Sequence, residues 1–170
     1  MNLESLGTIA EIIAAVGVIL SLLYLAKQIR ASSDTENARA FESAINSWHL
    51  ATANLLDDKN RDVFMKGLGD YESLTDSETF HFHALSAQLI DRFEIMLQFE
   101  HLRVTEKGHL TNMIGPFVKD LFNYPGFRSY WDGESAYFSR NLIRWYEENV
   151  EGKEKTSAGY IGQIFDESGG

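Results

Sequence analysis

Three places in this chain carry residue types at a spacing that could do chemistry. Glu11 is the only acidic or basic side chain in an apolar run from Leu6 to Ala26. A carboxylate is costly in hydrocarbon, so such a group faces a helix-bundle interior or water rather than lipid. The other two are Glu78-x-x-His81 and Glu106-x-x-His109, which share the Glu-x-x-His spacing of carboxylate-bridged di-iron bundles, with Glu94 and Glu100 available to complete a ligand set. Both pairs, however, fall in the first turn of a predicted helix, where a glutamate caps the helix or offsets its dipole. Di-iron ligands instead project from facing helices into a core. The spacing therefore reads as capping, no metal or other cofactor is expected, and His83 and His101 read as surface or satisfied core histidines. With no cysteine, the chain has no thiolate or disulfide chemistry, which fits a domain on the cytoplasmic side. No Gly-rich phosphate loop, nucleophile elbow or zinc spacing occurs. An enzyme is not expected.

The element that must position Glu11 is the run itself. As a helix it rises roughly 31 Å, close to the hydrocarbon thickness of a bilayer. This predicts a transmembrane helix over residues 6–26 behind a short external N-terminus, residues 1–5. The first five residues carry no positive charge and no good cleavage site follows, which argues against a cleaved signal. Lys27 and Arg30 follow the run and no Lys or Arg precedes it, so the positive-inside rule places the C-terminal part in the cytoplasm. Tyr24 suits the inner interface.

On a helical wheel the span has two unlike faces. Gly7, Ala10, Glu11, Ala14, Gly17, Val18, Ser21, Leu25 and Gln28 share an arc of roughly 120°. Leu6, Ile9, Ile12, Ile13, Val16, Ile19, Leu20 and Leu23 fill the opposite side and face lipid. Gly7, Ala10, Ala14, Gly17 and Ser21 recur in alternating steps of three and four, the period of a left-handed bundle, and small residues let helix backbones approach in lipid. A single span has no internal partner for that face, so a homo-oligomer is expected, with the same residues of each copy meeting around an axis. Two uses of the resulting Glu11 ring stay open. It could be a cation site at the mouth of a narrow pore gated by the cytoplasmic domain, since carboxylate rings select cations. Alternatively it is interhelical glue, and the chain is a membrane-tethered scaffold or sensor whose domain binds a partner protein.

The segment Ile9-Ala10-Glu11 through Ser21-Leu22-Leu23-Tyr24-Leu25-Ala26-Lys27-Gln28-Ile29-Arg30 resembles the opening of a group of uncharacterised bacterial single-span proteins. These begin with an Ala-Glu pair, a small-residue apolar run and then Ser-Leu-x-Tyr-Leu-Ala-x-Gln-Ile-Arg. A weaker likeness continues through Asn37-Ala38-Arg39-Ala40, the Leu74-Thr75 helix start and the stretch from Pro125-Gly126 to Trp131. The resemblance implies a bacterial inner-membrane protein and carries no activity or catalytic residue.

The remainder predicts an all-α protein. No Gly or Pro occurs from Lys27 to Arg61, so a juxtamembrane helix over residues 27–57 continues the span or follows a hinge at Ala31-Ser32-Ser33, with Asp34 as a cap. Its apolar stripe is Ala38, Phe41, Ile45, Trp48, Thr52 and Leu55. A helical domain over residues 58–150 follows. It has a short helix near Arg61–Gly67 and a long one opened by the Thr75-x-x-Glu78 capping box, with Ala84, Leu85, Gln88, Leu89, Phe93, Met96, Leu97 and Leu102 on one face. A helix capped by Thr105 runs to about Phe122, with Pro116 set to kink or shorten it. A one- or two-turn helix runs from Pro125 to Trp131, and a last one from Glu134 or Ser135 through Val150. Asp91 and Glu94 are expected to pair with Arg92 and Arg103. The two aromatic groups, Phe80, Phe82, Phe93 and Phe99, and Phe122, Tyr124, Phe127, Tyr130 and Trp131, read as packed core. Residues 151–170 form a flexible tail with an apolar island at Tyr160-Ile161-Gly162-Gln163-Ile164-Phe165 that can dock. Fifteen Lys and Arg against twenty-five Asp and Glu give a net charge of −10, which argues against a nucleic-acid partner. The expected partners are other copies of the chain, the bilayer, cations at Glu11 and a cytoplasmic protein.

Overall fold

The computed structural model describes residues 3–153 and 161, and every regular element among them is helical. The helices are α1 (Leu3–Ala53), α2 (Asp58–Gly69), α3 (Asp76–His101), α4 (His109–Leu121), α5 (Pro125–Glu134) and α6 (Arg140–Asn149), with short 3-10 turns at Asn54–Leu56, Tyr71–Ser73 and Ser135–Tyr137. The chain divides into two compact units, Met1–Ala40 and Phe41–Gly170.

In the first unit α1 passes through Ala31-Ser32-Ser33 unbroken, and Asp34 lies inside it rather than capping a new helix. No Gly or Pro breaks the helix in that stretch, and the Thr35 hydroxyl is used within it. Thr35 Oγ1 donates to the Ala31 carbonyl at 2.9 Å, a bond that leaves the helix intact. Every residue from Glu11 to Glu36 is exposed. Among the described residues, α1 is the one helix long and apolar enough to cross a membrane.

The second unit is organised around α3, which packs against α2, α4, α5 and α6. Its start is the capping box expected from sequence. Thr75 Oγ1 accepts from the Glu78 amide at 3.3 Å and Glu78 Oε2 accepts from the Thr75 amide at 2.8 Å. Phe82, Leu85, Leu89, Ile90, Phe93, Met96 and Leu97 are buried along it. It ends at His101, short of Val104. The amide of Val104 reaches back to the Phe99 carbonyl at 2.9 Å and that of Arg103 to the Glu100 carbonyl at 3.1 Å, the bonding of a Schellman stop. Arg103 holds the left-handed position of that stop at φ 59°, where glycine is usual. Leu102 is consequently turned out, 61% exposed, and does not join the apolar face.

Helix α4 begins at His109, not after Thr105. Its cap is supplied from another helix. Glu100 of α3 accepts from the Gly108 amide at 3.0 Å and from the Thr111 amide at 2.8 Å, and Thr111 Oγ1 donates to it at 3.1 Å. A carboxylate there also opposes the positive end of the α4 dipole. Glu94, one turn and a half earlier, accepts from the amide of Ser139, the cap residue of α6, at 2.9 Å. Neither Asp91 nor Glu94 forms an ion pair with Arg92 or Arg103 among the described residues; Glu94 is engaged by backbone instead. Helix α2 is longer than expected because Asp57 caps it, accepting from the Lys59 and Asn60 amides. Pro116 sits within α4 without ending it. Pro125 occupies the first turn of α5, where its missing N–H costs nothing.

The C-terminal part of α1 buries Ala44, Trp48 and Ala51, with Phe41, Ile45 and Leu55 half-buried, whereas Ala38 is exposed and Thr52 only partly covered. The stripe is thus centred one position away from the expected one. Ala44 and Ala51 leave room on either side of Trp48, whose ring meets Phe117 of α4 edge-on at 5.6 Å. Both aromatic groups are core: Phe82, Phe93, Phe122, Phe127, Tyr130 and Trp131 are buried, and only Phe80, 77% exposed, faces out. Phe93 and Trp145 meet at 4.5 Å, and Phe122 meets Phe127 at 5.0 Å, both edge-to-face. Of the C-terminal island, Ile161 is described; it is buried, and its amide donates to Asp120 Oδ2 at 3.2 Å. The rest of the island, like residues 1 and 2 of the external N-terminus, lies outside the described residues.

Helices α2 and α5 approach through two glycines. A Cβ built on Gly126 would fall on the Gly67 carbonyl, and one built on Gly67 would enter the Phe82 ring. Overpacking at such a crossing costs about 1–3 kcal/mol. Gly126→Ala should therefore lower the unfolding free energy by at least about 2 kcal/mol in chemical denaturation followed by circular dichroism. Glu100→Ala should cost about 1–2 kcal/mol in the same assay, by removing the cap of α4.

Candidate functional site

The residues expected to form a membrane-embedded interface lie along one helix, and those whose side chains are described are exposed. Glu11, Ala14, Gly17, Val18, Ser21, Leu25 and Gln28 are exposed, as is Gly7; the side chain of Ala10 lies outside the described ones. A Cβ added at Gly7 or Gly17 would meet nothing within 4 Å, so that face is open along at least ten residues of helix. Ser21 Oγ donates to the Gly17 carbonyl at 2.9 Å, which satisfies its hydroxyl within the helix and leaves its oxygen free to accept. Glu11 has no hydrogen bond or ion pair among the described residues. Tyr24, Lys27 and Arg30, expected at the membrane interface, are exposed on the same helix. The opposite face is equally bare: Ile12, Ile13, Val16, Ile19, Leu20 and Leu23 are each about half or more exposed. An exposed apolar surface of this length is compatible with contact to lipid or protein.

The Glu-x-x-His pairs are held in structural contacts. Glu78 binds the Lys66 ammonium at 2.8 and 3.0 Å in addition to its place in the capping box. His81 Nε2 lies 2.7 Å from Asn60 Oδ1. His109 opens α4 and packs its ring 5.5 Å from Phe41, while Glu106 is exposed in the preceding loop. Among the described residues no three His, Asp or Glu side chains converge in a way that would hold a metal ion.

One hydrogen-bonded chain escaped the sequence reading beyond the suggestion that His83 is satisfied. Tyr71 Oη lies 2.7 Å from His83 Nε2, and His83 Nδ1 lies 3.5 Å from Glu134 Oε1. The imidazole also packs edge-on against Tyr130 at 5.2 Å. This arrangement ties the Tyr71–Ser73 turn, α3 and α5 together through one side chain. Burial, helped by Glu72 and Glu134, pushes the Tyr71 phenol up, so it remains a hydrogen-bond donor at neutral pH. Burial, with Asp91 and Glu134, likewise raises Tyr130. Neither phenol is poised as a base or nucleophile. No short spacing marks this trio, because its members come from three separate elements.

No family model, curated protein or solved structure matches this chain. The candidate site therefore rests on its own residues, and the open small-residue face carrying Glu11 is the feature with the clearest chemical demand.

Glu78 makes the acid limb of stability testable. Its hydrogen bond to the Lys66 ammonium, then those from Thr75, lower its carboxyl from 4.5 to about 2. A carboxyl with a lowered folded-state value contributes stability above its unfolded value and loses it as pH falls. The contribution should be complete above about pH 5 and fade between about 4.5 and about 2. Urea denaturation across that range should show a shallower acid slope for Glu78→Gln than for the native chain.

Proposed function

We propose that this chain is a self-associating membrane protein of the bacterial inner membrane, in which copies of α1 meet through the face bearing Gly7, Ala10, Glu11, Ala14, Gly17 and Ser21. Its helical domain lies on the cytoplasmic side and serves as the binding unit of the assembly. The observation that carries this reading is Glu11: one carboxylate, without a partner among the described residues, set among small residues on an exposed apolar helix. A lone carboxylate in hydrocarbon needs a donor or water, and a second copy of the same face supplies both a close backbone approach and a shared proton between carboxyls. The cations at Lys27 and Arg30, and the resemblance of the segment Ala10 to Arg30 to bacterial single-span proteins, support the location and the orientation.

Association is tested by size-exclusion chromatography with light scattering in mild detergent and by fluorescence transfer between labelled copies in nanodiscs. The native chain should be oligomeric. Gly17→Leu should block the close approach and shift it to monomer, and Glu11→Leu should weaken association by about tenfold or more. A monomeric native chain in both media would overturn the reading. Cation flux into proteoliposomes separates the two uses of the ring. Flux lost in Glu11→Gln makes it a conduction site, and no flux from an oligomeric native chain makes it a joint between helices.

A further inference from the structure

At the corner where the end of α3, the start of α4 and α6 come together lies a cleft of about 930 Å³. Its walls hold Arg103, Lys107, Lys119 and Arg144, and none of these forms an ion pair among the described residues. That is an unusual concentration in a chain with ten more acids than bases. Lys66 and Arg61, by contrast, sit against carboxylates. Glu100 lines the cleft as well and keeps its charge, with both oxygens engaged by the amides of Gly108 and Thr111 and by the Thr111 hydroxyl rather than by a cation. Glu106 and Glu148 also line the cleft, both at exposed positions. Two further features mark the same corner. Thr105 belongs to the cleft wall, and its Oγ1 is buried with no hydrogen-bond partner among the described residues; a buried hydroxyl without a partner is costly and rare. Arg103 occupies the left-handed helix stop at φ 59°, where glycine would be relaxed and would lack the guanidinium.

We propose that this cleft binds a small phosphate-bearing polyanion, with Arg103 and Arg144 as bidentate guanidinium partners and Lys107 and Lys119 as point charges. Guanidinium pairs match phosphate oxygens two at a time, and a concave cationic wall concentrates anions. Trp145, part of the same wall, gives the site an optical reporter. A free metabolite and a lipid headgroup share this phosphate chemistry, and the test distinguishes them.

The full chain in phosphatidylcholine nanodiscs is titrated with inorganic pyrophosphate, followed by calorimetry and by tryptophan fluorescence. Saturable binding to one site per chain is expected, weakened by about tenfold or more in Arg144→Gln. Arg103→Gly is the decisive variant. It should match or exceed the native chain in thermal stability, because glycine relaxes the left-handed stop, and should still lose about tenfold in affinity. Glu148→Gln should bind more tightly, and Lys59→Gln, on α2 and outside the cleft, should bind as the native chain does. With phosphatidic acid added to the nanodiscs, an apparent affinity that falls identifies a headgroup as occupant, and an unchanged one identifies a soluble anion. No saturable binding, or binding that Arg103→Gly and Arg144→Gln leave unchanged, overturns the proposal.

Discussion

The burial of one face of α3 is the constraint on which the domain depends. Phe82, Leu89, Phe93 and Met96 are fully covered, and each of the neighbouring helices α2, α4, α5 and α6 contributes to covering them. Apolar burial of this kind is non-directional, so by itself it would permit many arrangements of the surrounding helices. What makes the arrangement definite is a set of directional contacts projecting from the same helix. Glu78 holds its own start and Lys66 of α2, Glu94 binds the cap of α6, and Glu100 binds the start of α4. His83 ties in the Tyr71 turn and α5. A helix that provides both the core and the caps of its neighbours couples their positions to its own.

Glycine and alanine set the remaining distances. At Gly67 and Gly126 the backbones of α2 and α5 come within reach of each other because neither carries a side chain there. Ala44 and Ala51 let the end of α1 lie close enough for Trp48 to meet Phe117. The same residue types recur at Gly7, Ala14 and Gly17 in the first unit, where they are exposed among the described residues. In one unit small residues are already in use as close contacts; in the other they stand open beside an unpaired carboxylate. That contrast is the physical content of the proposal for self-association.

Acidity also has a different meaning in different places. The chain carries twenty-five acids, yet Glu94 and Glu100 act as caps for helices other than their own. With Glu100 engaged by backbone amides, Arg103, Lys107, Lys119 and Arg144 share the α3–α4 corner with Glu100, Glu106 and Glu148 and form no ion pair among the described residues.

The apolar run that makes α1 exposed and membrane-compatible, the capping box at Thr75 and Glu78, and the helical character of the chain were legible from residue order, because each depends on groups within a few positions of one another. The buried row of α3 from Leu85 to Leu97 was legible for the same reason, through its period. Contacts between distant residues were not. Glu94 and Ser139 are 45 residues apart in the chain, the Glu100 cap displaced the expected one at Thr105, and Ala44 and Ala51 carry too little apolar surface to mark a buried face. Those were decided only when helices packed, since which carboxylate meets which amide, and which small residue meets which ring, follows from the approach of whole faces and not from any local spacing.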